Sequence, residues 1–313
     1  MRRFLVTGGA GFIGSHIATA LVERGDEVRV LDNLSTGHRK NLDHLQDRVE
    51  LVEGDLLDAD KVPDVVRDVD CIFHQAALAS VPRSVETPLD TNAACVTGTV
   101  LLLEAARKAN VRRVIYAGSS SAYGDQPTKS KSERDLPAPL SPYAAAKLAA
   151  EHYCHAFWAT YGLETVCIRY FNVFGTRQDP NSEYSAVIPL FVTAMLAGHQ
   201  PTIFGDGTQS RDFTYVENVV YGNLLAADAE NVAGRTLNVA CGHQTDLFEL
   251  VAAINRVLGT EIEPVFDSPR AGDVKESLAD ITLARELLGY EPSVSFDEGL
   301  RRSIDFYRTL VKL

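Results

Sequence analysis

Disulfide and zinc spacings are missing from this chain. Its five cysteines, Cys71, Cys95, Cys154, Cys167 and Cys241, are odd in number, and no two stand at CxxC spacing. Most lie in apolar segments, so reduced, buried thiols are predicted, as befits a cytoplasmic protein. His152, Cys154 and His155 come nearest to a metal cluster, but on a helix Cys154 faces away from the two histidines, and no metal is expected. No uncharged run is long enough to span a membrane. The N-terminus opens on a strand-like Phe4-Leu5-Val6 with no apolar leader and no cleavage site, so no signal peptide is expected. Positive charge is in deficit: 30 Lys and Arg stand against 42 Asp and Glu, a net charge of −12. That balance argues against non-specific binding of nucleic acid. A phosphate-bearing ligand must then be met locally, by arginines or by helix N-termini. Internal repeats and low-complexity tails are also absent.

What is present is ordinary globular material, 45% hydrophobic and 23% charged over 313 residues, enough for a sizeable core. Short apolar runs alternate with helical patterns through the first half. The runs are Phe4–Thr7, Val28–Leu31, Val49–Val52, Cys71–His74, Val114–Ala117 and Val166–Tyr170. This alternation predicts an α/β fold, a Rossmann-type doubly wound parallel sheet covered on both faces. Two long helices are expected, Asn92–Lys108 and Ser141–Tyr161. Such helices often pack against a second subunit, so a homodimer is expected.

Beyond Tyr170 the chain is richer in Gly, Pro and polar residues. A helix is predicted around Ala186–Ala197. Phe213–Val220 and Thr236–Ala240 read as returns to the sheet. Asp246–Leu258, a Glu263–Phe266 strand and a closing helix from Asp297 follow. The expected division is 1–172 plus about 213–241 for one domain, and 173–212 plus 242–313 for a smaller interleaved α/β domain.

Gly8, Gly11 and Gly14 follow the first strand at GxxGxxG spacing and open a helix. Glycine there lets the chain turn tightly, lets backbone N–H groups approach a pyrophosphate and lets the helix sit close to the strand. Asp32 ends the second strand, where its carboxylate suits the adenosine ribose hydroxyls of NAD and repels the extra phosphate of NADP. Arg39 and Lys40 stand nearby. Asp55 follows the third strand, facing the adenine. The small residues of His74-Gln75-Ala76-Ala77 follow the fourth, where the chain can run close to the cofactor. The serine run from Ser119 to Ser121 follows the fifth, at the edge where open α/β sheets hold their ligands.

Ser141-Pro142 is a helix start, and Tyr143 and Lys147 then share one helix face. A phenol titrates near ~10, and a nearby cation favours its charged form. The pair therefore suits proton transfer near neutral pH. Alone it also fits an ordinary helix face.

With glycine fingerprint, serine run and Tyr-x-x-x-Lys in this order, the chain resembles the extended short-chain dehydrogenase/reductase family. Within it, the chain looks like the nucleotide-sugar 4-epimerases. Arg169-Tyr170-Phe171-Asn172, Arg211-Asp212-Phe213 and Arg270-Ala271-Gly272-Asp273 carry the likeness through the second half. The resemblance implies that Tyr143 is the acid/base, that Lys147 holds the nicotinamide ribose and lowers the Tyr143 pKa, and that Ser119 relays the proton. It extends the NAD-binding set to Phe12 and Ile13, to Asn33, Ser35, Thr36 and Gly37, to Leu56 beside Asp55, and to Gln75, Ala76, Ala77, Asn92 and Tyr170. On the substrate side it implies Ser80 and Ser121 near the sugar, and Asn172 on the sugar or its phosphate. Val187, Ile203 and Phe204 frame the uracil of a UDP-sugar. Arg211 and Arg270 clamp its diphosphate, and Asp273 takes a ribose hydroxyl.

The same resemblance discriminates between reactions. Related dehydratases carry an Asp-Glu pair after the catalytic hydroxyl residue, and related uronic acid decarboxylases usually keep the glutamate. Here Ser120 and Ser121 occupy those positions. A serine is no carboxylic acid, and epimerisation through a transient 4-keto sugar and bound NAD needs none. Ser277, seven positions after Arg270, borders the sugar's 2-substituent and leaves room for an N-acetyl group. Arg177-Gln178-Asp179-Pro180-Asn181 points to the same branch. The expected activity is interconversion of UDP-GlcNAc and UDP-GalNAc, with UDP-Glc and UDP-Gal as a second pair. The alternatives are a UDP-glucuronate 4-epimerase or decarboxylase, in which Arg177 meets a carboxylate, and a non-catalytic NAD(H)-binding regulatory protein.

Overall fold

The computed structural model describes residues 1–180, 186–268 and 275–310. Seven parallel strands form the central sheet. Six are β1 (Arg3–Thr7), β2 (Glu27–Asp32), β3 (Val49–Glu53), β4 (Cys71–His74), β5 (Arg113–Ser119) and β6 (Glu164–Tyr170). The seventh is Arg235–Val239, and the order across the sheet is Arg235–Val239, β6, β5, β4, β1, β2, β3. Phe4, Leu5 and Val6 are fully buried, which a strand can be only when helices cover both sheet faces. β1 has β2 on one side and β4 on the other. The connections turn to opposite faces at that point, so a crevice opens between the carboxyl ends of β1 and β4.

The covering helices of the first half are α1 (Phe12–Glu23), α2 (Val62–Val65), α3 (Val81–Glu86), α4 (Pro88–Asn92), α5 (Gly98–Lys108) and α6 (Pro142–Tyr161). The helix expected over Asn92–Lys108 begins earlier and is interrupted by a π turn at Ala93–Thr97. α6 starts as its sequence predicts: the Ser141 side chain accepts the Ala144 N–H at 3.2 Å, and Pro142 fills the first turn. It stops at Gly162, whose φ of 73° suits a residue without Cβ.

One sequence expectation fails. Phe213–Val220 does not return to the central sheet. Thr214–Tyr215 pairs only with Val173–Phe174, and Val216 begins a helix that runs to Asp228. Val219 is fully buried and Val220 nearly so. An apolar run this short cannot distinguish a buried helix from a buried strand.

The second half adds short pieces. The strand Ser210–Arg211 lies between Thr245–Asp246 and Glu276–Ser277, and Thr202–Phe204 pairs with Val265–Asp267. The helix Leu247–Leu258 carries a capping box made by Asp246 and Glu249. The helices Val187–Leu196 and Phe296–Leu310 complete the layer. One continuous apolar core runs from β1 through to Tyr307, so the two halves pack as one body.

Candidate active site

The glycine loop is shaped by close backbone approach. Gly8 has φ 66°, and a Cβ there would lie 2.7 Å from the Ala76 nitrogen. A Cβ on Gly14 would fall 2.2 Å from the Gly8 carbonyl oxygen. A Cβ on Gly11 would meet only that oxygen, at 3.1 Å, so its outer face is open. No side chain caps α1, and its first turn carries no acid. The loop and the helix start therefore form a cradle suited to a diphosphate. Phe12 and Ile13, on that turn, are half-buried.

Asp32 is buried at the end of β2, and its carboxylate accepts the Ala10 N–H at 2.9 Å and the Leu34 N–H at 2.8 Å. Gly37 backs it so closely that a Cβ would lie 2.9 Å from an Asp32 carboxylate oxygen. Arg39, a possible partner for a 2′-phosphate, is ion-paired with Glu53. Asn33 donates to Asp55 at 2.7 Å and accepts from the Ser35 hydroxyl. Ser35, Thr36 and Asn92 are exposed, whereas Leu56 is buried in the core against α5.

Gln75 gives a direct sign of an unfilled partner. Its side-chain amide meets the Tyr170 hydroxyl at 3.1 Å on one side, while its other polar atom is buried with no hydrogen-bond partner among the described residues. Such an atom calls for a hydrogen-bond partner from a ligand or water. Together with the cradle and Asp32, it makes the cleft fit a dinucleotide. Ala76 and Ala77 line the same turn.

β5 delivers Ser119 to the cleft. Ser119 Oγ lies 2.8 Å from Ser121 Oγ and accepts the Ser121 N–H at 3.2 Å. Ser119 also bears on the Tyr143 phenol, favouring its charged form. Burial pushes that phenol well above its ordinary value, and Ser119 pulls the other way. Lys147 is buried on the same helix face, with its ammonium donating to the Ala117 carbonyl at 2.9 Å. It also lies over the Tyr116 ring, 5.1 Å from the centroid, and burial lowers its pKa. The sequence led us to expect Lys147 to lower the Tyr143 pKa. In the protein alone, burial of the phenol outweighs any such effect.

The expected sugar side is less uniform. Arg211 is half-buried and anchored through Nη1 to the carbonyls of Ser210 and Lys275, at 2.9 and 3.2 Å. The parallel register sets Ser277 directly beside it. Asp212 does not pair with Arg211. Its carboxylate is fully buried and accepts backbone N–H groups from Cys241, Gly242 and Ala279 at 2.9, 2.9 and 3.3 Å. Burial still raises it to about 6. Asn172 adopts φ 34° and donates to the Asp212 carbonyl at 3.5 Å. Such a conformation costs about 1 kcal/mol or more for a residue other than glycine.

Phe204 and Val187 are half-buried, but Ile203 is fully buried in the core and has no surface to offer a base. Ser80 caps α3, accepting the Arg83 N–H at 3.1 Å, which sequence reasoning had not assigned it. Arg177 does not face the serine loop. Its guanidinium donates to Thr19 at 3.0 Å and approaches Ser15 and His44. Arg270, Asp273 and Asn181 lie outside the described residues. His155 bonds Thr236 rather than joining Cys154, and no group of three metal-type ligands occurs among the described residues. No helix of the described residues is long and apolar enough to cross a membrane.

Known proteins are similar to this chain over nearly its whole length. A UDP-glucose 4-epimerase of Mycolicibacterium smegmatis is 42% identical over 311 residues, 98% of each chain. The solved UDP-N-acetylglucosamine 4-epimerase of Methanobrevibacter ruminantium M1, in complex with UDP-N-acetylmuramic acid, is 40% identical with a TM-score of 0.95 over 99% of both chains. A UDP-glucuronic acid 4-epimerase from Bacillus cereus, solved with UDP-glucuronic acid and NAD, is 32% identical with a TM-score of 0.93, covering 99% of this chain and all of the other. The sequence model of the NAD dependent epimerase/dehydratase family matches residues 4–240, and the chain belongs to that family.

Proposed function

We propose that the protein is an NAD-dependent UDP-sugar 4-epimerase acting chiefly on the UDP-GlcNAc/UDP-GalNAc pair, with UDP-Glc/UDP-Gal as a second pair. The observation that carries the reaction type is the group formed by Ser119, Ser121 and Tyr143, a phenol and two hydroxyls, with Ser120 completing a loop that has no carboxylic acid. Dehydration and decarboxylation call for a positioned acid that this loop does not supply. Reversible oxidation at one carbon does not need one.

In this reading Tyr143 removes the proton of the sugar 4-hydroxyl, with Ser119 bridging, and returns it after the 4-keto sugar has turned over. Bound NAD supplies the reversible two-electron redox capacity at C4 and, when oxidised, a ring charge that favours the Tyr143 phenolate. Gly8, Gly11, Gly14 and the start of α1 would hold its diphosphate, Asp32 its adenosine ribose, and the Gln75 amide a polar group of the nicotinamide half. Lys147, fixed by the Ala117 carbonyl, would hold the second ribose. Arg211, with Arg270, would keep the sugar's diphosphate anchored while the hexose swings. The small Ser277 beside Arg211 supports an N-acetyl substituent. The N-acetyl reading is favoured over the glucuronate alternative because Arg177, the carboxylate partner that alternative calls for, is engaged by α1.

The dinucleotide half would be 1–172 with about 213–241, and the rest the sugar half. A homodimer is part of the same reading, supported by the exposed Val85, Leu89 and Tyr153 on α3, α4 and α6. Sedimentation at micromolar concentration checks it. Incubation of the purified protein with UDP-GlcNAc, UDP-Glc and UDP-GlcA in turn tests the function: C4 epimers are expected from the first two. Carbon dioxide or a 6-deoxy-4-keto product would overturn it.

A further inference from the structure

His74 ends β4 and takes no part in the proposed proton transfer, yet it is 1% exposed with polar partners on both ring nitrogens. Nε2 lies 2.9 Å from Thr99 Oγ1, and Nδ1 lies 2.7 Å from Thr7 Oγ1. The Thr99 hydroxyl donates to the Cys95 carbonyl at 2.6 Å, which uses its only hydrogen. It must therefore accept from His74, and the ring proton sits on Nε2. Nδ1 is then an acceptor, and the Thr7 hydroxyl donates to it. The Thr7 oxygen is left to accept the Ala76 N–H, at 3.3 Å. Burial and the charge of Lys147 lower the ring's pKa to about 3, which keeps this neutral form at working pH.

The chain of bonds has one direction throughout, and its ends matter. Thr7 immediately precedes Gly8, and Ala76 is the backbone that a Cβ on Gly8 would strike. At the other end, the Cys95 carbonyl belongs to the π turn at Ala93–Thr97. π turns inside helices are frequent at functional sites. A plain core filler would need only the volume of an aromatic ring. Here Thr99, His74 and Thr7 are oriented in series, from the π turn to the backbone that follows β4.

We propose that His74, protonated on Nε2, is a positioning residue that fixes the Thr7–Ala76 clasp across the crevice and so sets affinity for NAD. This rests on the NAD-dependent reading above. The test measures NAD dissociation by calorimetry, and unfolding temperature without cofactor, for the parent and four variants. Asparagine at 74 can reach the Nδ1 position and keep Thr7 oriented, whereas glutamine reaches the Nε2 position and keeps only Thr99. Thr7→Val removes the hydroxyl at constant shape, and Thr7→Ser retains it.

Thr7→Val and His74→Gln should weaken NAD binding about tenfold or more, while Thr7→Ser and His74→Asn stay within about threefold of the parent. Equal affinities within each pair, or affinity losses that follow unfolding temperature in rank, would overturn the proposal. If the His74 variants do not fold, the Thr7 pair decides. A parent chain that binds no NAD overturns the cofactor reading and this proposal together. Parental affinity kept by Thr7→Val overturns this proposal alone.

Discussion

The cofactor crevice and the sugar pocket are built from different backbone. The crevice sits on the turns that follow long parallel strands, where each strand delivers one residue group at a fixed height: Gly8 after β1, Asp32 on β2, Gln75 after β4, Ser119 on β5. The sugar side rests on two-residue strands, Ser210–Arg211 and Glu276–Ser277, and on Asn172 at φ 34°. The first construction fixes positions through the sheet. The second brings distant segments together through a few backbone bonds, such as the Asp212 N–H to the Ser277 carbonyl at 2.7 Å.

That contrast can be broken most decisively at Tyr143. Tyr143→Phe should reduce turnover by about a thousandfold or more while NAD and UDP still bind. Near-normal turnover would remove the phenol from the mechanism. The next effect is on stability and belongs to the sugar side. Burial raises Asp212 to about 6 from an ordinary value near ~4, so the folded protein holds that proton more tightly than the unfolded chain does. Its contribution is complete below the unfolded value and is lost as pH rises through about 6. The stability of the parent relative to Asp212→Asn should fall by up to about 3 kcal/mol over that window, read from denaturant titrations at several pH values. A pH-independent difference would contradict it.

On the crevice side, Gly14→Ala drives a Cβ into backbone 2.2 Å away and should lower stability by about 1–3 kcal/mol, with loss of retained NAD. Gly11→Ala, with its nearest atom at 3.1 Å, should be milder in both readouts. The smallest change to the fold should come from Ser277→Tyr, which is expected to exclude N-acetylated sugars and leave UDP-Glc turnover within about threefold, filling being local to a half-buried position. Unchanged preference in a competition assay would separate Ser277 from the sugar.

The two constructions also differ in how far they could be read from residues alone. The six strands, the glycine turn, Asp32 and the Ser141-Pro142 helix start were legible, because each depends on local chemistry at short spacing. The pairing of Arg211 with Ser277 is set by strands far apart in the chain, and no local pattern announces it. Phe213–Val220 was misread as strand because Val219 and Val220 are buried in either structure. The interruption at Ala93–Thr97 has no local residue signal such as Pro or Gly within it. Arg177 reads as a ligand for a carboxylate, and its contacts with Ser15, Thr19 and His44 give it another place.

The central claim is that the hydrogen at C4 leaves and returns within one closed site. UDP-GlcNAc carrying deuterium at C4, turned over to equilibrium in ordinary water, tests it directly. The account predicts that the C4 epimer keeps essentially all of the label. Washout of deuterium into solvent would contradict it, because it would mean that C4 exchanges its hydrogen as a proton.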